Sequence, residues 1–288
     1  MKILIVGAGS IGTYLGVKLH ASNNEVQLLG RDKLHKLHDT IIIGEEIFEI
    51  PQKIYDFPKD ATYDIIFITS KLYDLQKNLK LVQKNKVKSE IIVSIQNGLV
   101  DEAVYTPYIG ESHFTTISIF EGFRLIENHL LVHPVKMGWK TEDTVIGKQI
   151  EQVLLDAKIN CTAEKNLRSI KAEKLIMNCA INLLSAIYKK TFYELSKTHR
   201  KEMDVLFDEA YEVVSKIAEV RSREVLREIF YNFVSKMKHY SSTYQDAISG
   251  RTSESRFLNG YITQLGKKFS IPTPNNAELT RLFVEMYK

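Results

Sequence analysis

The chain has 288 residues, 44% of them hydrophobic and 26% charged, with a formal net charge of +4. That is the composition of a core-forming protein large enough for two domains, and it excludes a disordered chain. Lysine and arginine exceed the acidic residues by only 39 to 35 and are spread along the sequence, which argues against nucleic acid as a partner.

The first element is a strand, Lys2–Val6, whose apolar run Ile3-Leu4-Ile5-Val6 is far too short for a signal-peptide core or a membrane span. It runs directly into Gly7-Ala8-Gly9-Ser10-Ile11-Gly12, which fits G-x-G-x-x-G and opens a helical run from Ile11 to Ala21. Strand before and helix after turn a weak pattern into a dinucleotide-binding fingerprint. The first glycine permits the tight turn, the second lets backbone approach a pyrophosphate, and the third lets helix pack on strand. Amides at the helix N-terminus would face the phosphates.

A second strand, Glu25–Leu29, ends in Gly30-Arg31 where NAD-binding versions place an acidic residue about 20 positions on. A guanidinium pairs bidentately with a 2′-phosphate that a carboxylate would repel, so Arg31 favours NADP(H), with Asp32 as the alternative partner for a ribose hydroxyl. Further β-branched runs at Asp64–Thr69, Glu90–Ile95 and Phe114–Ile119 alternate with segments able to form helices, as in a parallel sheet of βαβ units. The basic run Lys77–Lys88 alternates with Leu79, Leu81 and Val82 and reads as the solvated face of a helix.

From Lys148 to Ser249 there is neither glycine nor proline, and the apolar spacing becomes helical, as in Val205, Ala210, Val213, Val214, Ile217 and in Leu226, Ile229, Phe230, Phe233, Val234, Met237. The expected fold is an α/β Rossmann domain with a mostly parallel sheet over residues 1–166, followed by an all-α domain over 167–288. Two cysteines, Cys161 and Cys179, lack metal-ligand spacing and read as small buried hydrophobes; no metal is expected, and the expected setting is cytoplasmic. His133 and the single tryptophan, Trp139, sit in no catalytic spacing and are assigned to packing.

Within the helical part, Lys174, Asn178 and Asn182 stand four residues apart in an otherwise apolar run. Steps of four drift only about 40° around a helix, so the three form one polar stripe. Its partners are either a bound substrate or other side chains in an internal hydrogen-bond network. Downstream, Ser241–Glu254 is dense in polar and small residues, and Thr252 or Ser253 is expected to cap the following helix and set Glu254 near its N-terminus.

Taken together, the G-x-G-x-x-G start, Lys71 in Thr69-Ser70-Lys71, Gln96-Asn97-Gly98, Glu173-Lys174-(x3)-Asn178-Cys179-(x2)-Asn182 and the segment from Ser241 to Gly260 resemble the ketopantoate reductase (2-dehydropantoate 2-reductase) family over essentially the whole chain. The resemblance implies NADPH-dependent reduction of 2-dehydropantoate to (R)-pantoate on the way to pantothenate. It makes Lys174 the general acid and Glu254 the carboxylate that orients it. It makes Asn97, Asn178, Asn182 and Ser242 substrate contacts, and Gly7 to Gly12, Arg31, Lys71, Asn97 and Glu254 cofactor contacts. An ammonium suits that task because it both stabilises charge on a ketone oxygen and delivers a proton. Lys71 and Asn97 match family positions at the ends of the third and fourth strands, where open α/β sheets hold their ligands, although Asn97-Gly98 also reads as a plain turn dipeptide.

The sequence departs from the family pattern where Thr-Glu-Ile-Asp becomes Ser253-Glu254-Ser255-Arg256 and where Asn-Pro becomes Asn182-Leu183. Those changes leave another branched 2-oxo acid open as substrate, and a non-catalytic NADP(H)-binding sensor is the alternative from a different class. A hydroxyacid dehydrogenase would favour Lys-x-x-Asn, a spacing that turns the asparagine about 100° from its place here. The expected partner is a small 2-oxo acid, with neither nucleic acid nor membrane, and a homodimer stays open as the assembly.

Overall fold

A computed structural model of the chain describes residues 1–30, 32–35, 37–99 and 102–287. Arg31 lies outside the described residues. The chain divides into two units, Met1–Gln96 with Val100–Leu167, and Asn97–Leu99 with Arg168–Lys288.

The first unit begins with β1 (Lys2–Val6), α1 (Ser10–Ala21), β2 (Glu25–Leu29), α2 (Asp32–His35), β3 (Thr40–Ile43), β4 (Glu46–Glu49) and β5 (Gln52–Ile54). It continues through β6 (Thr62–Ile68), α3 (Leu72–Lys84), β7 (Lys88–Ser94), α4 (Glu102–Ile109), β8 (His113–Thr116) and β9 (Ser118–Ile119). It closes with β10 (Gly122–Ile126), β11 (His129–His133), β12 (Trp139–Glu142), α5 (Val145–Asp156) and β13 (Cys161–Glu164).

Six of these strands form a parallel sheet in the order β5-β2-β1-β6-β7-β8. Numbered by their occurrence within that sheet, this is the order 3-2-1-4-5-6 of a doubly wound dinucleotide fold, with its switch point between β1 and β6. Ile3, Ile5, Ile65, Phe67, Ile91 and Val93 join Leu15 and Leu19 of α1 in one core. Leu4, Val6, Ile66, Ile68 and Ile92 join Leu75, Leu79 and Val82 of α3 in another. Strands covered on both faces need apolar residues at every position, which is why they read as continuous runs.

Two smaller sheets were not anticipated. One is ordered β10-β11-β3-β4 and the other β13-β12-β9. The expected strand Phe114–Ile119 is accordingly broken: β8 pairs in the parallel sheet and β9 pairs antiparallel with β12. Likewise β13 interrupts the glycine-free stretch that periodicity assigned to helices. The basic run is divided too, with Lys77, Lys80 and Lys84 exposed on α3 and Lys88 starting β7. Trp139 is fully buried, and its indole N–H donates to Glu121 at 2.8 Å.

The second unit consists of α6 (Leu167–Tyr188), α7 (Phe192–Thr198), α8 (Arg200–Val214), α9 (Arg223–Val234), α10 (Ser242–Ile248), a 3-10 turn (Ser255–Phe257), α11 (Asn259–Phe269) and α12 (Pro274–Met286). The 22-residue α6 is its central element: Ala172, Leu175, Ile176, Cys179, Ala180, Leu183 and Leu184 are all buried in one core with Phe207 of α8 and Phe230 of α9. Cys161 and Cys179 are buried free thiols, and burial pushes the Cys161 thiol up to about 12 and that of Cys179 higher still. No helix among the described residues is long and apolar enough to cross a membrane.

Candidate active site

In the first unit, the glycine loop after β1 has three glycines in three different environments. Gly7 has φ +123°, a conformation that an L side chain rarely adopts, and a Cβ there would meet the Ser70 amide at 2.8 Å. At Gly12 a Cβ would lie 1.8 Å from the Gly7 carbonyl, so helix and strand touch through it. At Gly9 a Cβ would meet nothing within 4 Å among the described residues. Gly9 is also the N-cap of α1, no side chain caps that helix, and its first turn holds no acidic residue. Open space beside an uncapped helix N-terminus suits the pyrophosphate of a dinucleotide, because amides and helix dipole favour an anion there.

The other motif residues turn elsewhere. Ala8 is buried against Gly30, Ile11 packs on the core, and Ser10 accepts a hydrogen bond from the Leu125 amide at 3.2 Å. The neighbouring strand ends are cross-braced: Thr69 donates to the Gly7 carbonyl at 2.8 Å, and the Gln96 amide donates to the carbonyls of Ile68 at 2.8 Å and Ser70 at 3.1 Å. Lys71 is half-buried at the N-cap of α3.

In the second unit, three segments distant in sequence meet at one amide. Lys174 Nζ donates to Asn97 Oδ1 at 3.1 Å, and Asn97 Nδ2 donates to Glu254 Oε2 at 3.3 Å. Asn97 therefore engages both charged groups through opposite ends of its side chain. Lys174 is half-buried on α6 and Glu254 is 5% exposed. Burial, aided by the charge of Lys171, holds the Lys174 ammonium below the usual 10.5, at about 8, while Glu254 opposes that shift. The Lys174 proton is therefore held less tightly than that of an exposed lysine.

The polar stripe on α6 is as periodicity requires, with Asn178 half-buried and Asn182 5% exposed. One other expectation changes, and two further residues are placed. Neither Thr252 nor Ser253 caps the helix after Glu254; Glu254 itself precedes the 3-10 turn, Ser253 accepts from the Ser255 amide at 3.3 Å, and α11 begins only at Asn259. Ser242 is exposed, whereas the adjacent Ser241 is buried, caps α10 by accepting from the Tyr244 amide at 3.0 Å, and donates to the Asn182 carbonyl at 2.9 Å. Leu183 is fully buried in the helical core, so its departure from the family pattern is a packing change.

Glu173, beside Lys174 in sequence, is spoken for elsewhere. Its carboxylate accepts from Arg221 Nε at 2.9 and 3.0 Å and from the Arg221 backbone amide at 2.9 Å. Glu173→Gln is expected to lower the melting temperature by about 2–4 °C, a loss on the order of 1 kcal/mol, while turnover persists. A melt unchanged from the parent protein would show that the clamp contributes nothing.

Strand order, glycine loop and a second, helical unit define a dinucleotide-fold protein with a lysine–asparagine–glutamate cluster in that second unit. The family model described as "Ketopantoate reductase PanE/ApbA" matches residues 3–145, and that described as "Ketopantoate reductase PanE/ApbA C terminal" matches residues 166–286. The chain belongs to the ketopantoate reductase PanE/ApbA family. A 2-dehydropantoate 2-reductase of Aquifex aeolicus is 28% identical over 304 residues, covering 98% of this chain and 96% of the relative. One from Pyrococcus abyssi is 25% identical, covering 96% and 94%. Among solved structures, a PanE/ApbA family ketopantoate reductase from Ralstonia eutropha superposes with a TM-score of 0.88 at 23% identity, covering 100% of this chain and 98% of that one. A D-mandelate dehydrogenase solved with NADH and anilino(oxo)acetate gives 0.87 at 22% identity, covering 99% and 98%.

Proposed function

We propose that this protein reduces 2-dehydropantoate to (R)-pantoate with NADPH. The observation that carries the reading is the Lys174–Asn97–Glu254 cluster in a chain of this family. A bound reduced nicotinamide supplies the hydride. Lys174 Nζ stabilises negative charge on the ketone oxygen and passes its proton to that oxygen as the alkoxide forms. Glu254 and Asn97 hold the ammonium in one orientation and keep it charged against the cost of burial. Asn178, Asn182 and Ser242 offer neutral donors for the substrate carboxylate and hydroxyl. Gly7 to Gly12 and the N-terminus of α1 hold the pyrophosphate, Lys71 and Asn97 are further cofactor contacts, and Arg31 pairs with the 2′-phosphate.

Ser255 and Arg256 favour a second reading, a different branched 2-oxo acid, because they alter polarity and charge directly beside Glu254. The test is NADPH oxidation with 2-dehydropantoate beside a panel of branched 2-oxo acids, with NADH as control because related dehydrogenase structures carry NADH. Fast turnover selective for 2-dehydropantoate and NADPH supports the first reading, and selectivity for another acid moves the substrate. Tight NADPH binding with no turnover on any acid points to a non-catalytic sensor. Arg31→Ala is expected to weaken NADPH by about tenfold or more and NADH little, since a bidentate charge-assisted pair is lost only with the phosphate. Equal weakening of both would remove Arg31 from the 2′-phosphate.

A further inference from the structure

We infer that Asn259 is a positioning residue for the reaction: its buried amide fixes the segment that carries Glu254 against the helix that carries Lys174. The inference rests on the reading of Lys174 as the acid. Asn259 is fully buried at the start of α11 and donates through Nδ2 to the Cys179 carbonyl on α6 at 2.8 Å and to Asn276 Oδ1 on α12 at 2.9 Å. Both partners are acceptors, so the amide has one workable orientation.

Asn276, also fully buried, is held in turn. It donates to Glu209 Oε2 at 2.8 Å and to the Leu206 carbonyl at 3.3 Å, both on α8, and the same carboxylate accepts from the first-turn amides of Asn275 and Asn276 at 2.9 Å each. Glu209 thus caps α12 from a distance, as the uncapped helix N-terminus requires.

The connection from Asn259 back to Glu254 is short and hydrogen-bonded throughout. Phe257 N–H donates to the Glu254 carbonyl at 2.8 Å and Leu258 N–H to that of Ser255 at 3.2 Å. Bonds therefore run in a closed circuit from Lys174 to Asn97, to Glu254, along the turn to Asn259, across to Cys179, and back along α6. Shifting Asn259 moves the Glu254 carboxylate relative to the ammonium.

The circuit carries a cost that a packing role would not explain. Asn259 Oδ1 is buried with no hydrogen-bond partner among the described residues. That orphan is the cost of the orientation in which Nδ2 serves both the Cys179 carbonyl and Asn276 Oδ1.

The test uses the full chain with NADPH and 2-dehydropantoate. Asn259→Leu should lower kcat by about 10- to 100-fold, as small misplacements of catalytic groups do. KM for the 2-oxo acid and NADPH affinity should stay within about threefold, since the glycine loop lies in the other unit. The alkaline limb of the rate profile should move to lower pH, because a loosened Glu254 supports the ammonium less; Lys171 and Asn97 act on it beside Glu254. The double variant Asn259→Leu with Glu254→Gln should be no slower than Glu254→Gln alone, since both act on one contact.

Wild-type turnover in Asn259→Leu, or losses that multiply in the double variant, would overturn the inference. If Asn259→Leu does not fold, the near-isosteric Glu209→Gln carries the same test, with a smaller loss of kcat and the same non-additivity expected; independent losses would overturn it equally. Lys174→Ala separates the two levels. Retained turnover there sinks the general-acid reading itself, whereas a dead Lys174→Ala beside independent losses at Asn259 and Glu254 sinks only the role of Asn259.

Discussion

Replacing Lys174 with alanine is expected to lower kcat for ketone reduction by about 10²- to 10⁴-fold, the usual contribution of a positioned proton donor. NADPH affinity should be unchanged, because the glycine loop and Lys174 belong to different units. Turnover equal to the parent protein would remove Lys174 from the mechanism. The protonation state adds a second signature. As the proposed acid, Lys174 must be charged to act, and burial holds its pKa down at about 8. Reduction should therefore be flat below that value and fall about tenfold per pH unit above it, while alcohol oxidation, which needs the free amine, should rise over the same range.

The depressed pKa also has a sign for stability. Between about 8 and the ordinary 10.5 the unfolded chain binds the Lys174 proton and the folded chain does not. Stability from this group is then lowest when both states are protonated and rises with pH across that window. Lys174→Met, which puts an apolar side chain of similar length there, should melt higher than the parent protein at pH 7 while losing turnover. A lower melt would mean that the ammonium is better satisfied in the folded protein than its burial implies.

The second large effect separates two glycines of one motif. Gly9→Val should leave the fold intact, since its φ of −82° suits any residue and no atom of the described residues lies within 4 Å of the new Cβ. It should weaken NADPH by about 100-fold, because the side chain fills the space where backbone would approach the pyrophosphate. Gly12→Ala should do the opposite first: the Cβ would sit 1.8 Å from the Gly7 carbonyl, a backbone atom that cannot swing aside. The helix must lift off the strand, at a cost of about 3 kcal/mol or more. Thermal melts beside fluorescence titration with NADPH distinguish the two. Wild-type NADPH affinity in Gly9→Val would reduce the loop to an ordinary turn.

The parallel sheet, the glycine loop and the polar stripe on α6 are all legible in the amino-acid order, because each rests on local periodicity. Strands such as Leu4–Val6 and Ile65–Ile68 are apolar at every position for being covered on both faces, and four-residue steps on a helix return to one side. The hairpin strands Thr40–Ile43 and Glu46–Glu49 were hidden by being short and half-exposed, so their pattern does not stand out from a loop. The split of Phe114–Ile119 was hidden because a single extended run can change sheets without any change of composition.

The wiring of the cluster emerges only on folding. Asn97 lies 77 residues from Lys174 and 157 from Glu254, and nothing local marks its amide as the link between their charges. The same holds for Ser241, which binds the Asn182 carbonyl 59 residues away on α6, and for Asn259, whose partners on α6 and α12 are 80 and 17 residues away. Hydrogen bonds between distant segments depend on where whole helices come to rest, and that is set by packing of the core around α6, not by the residues that then meet.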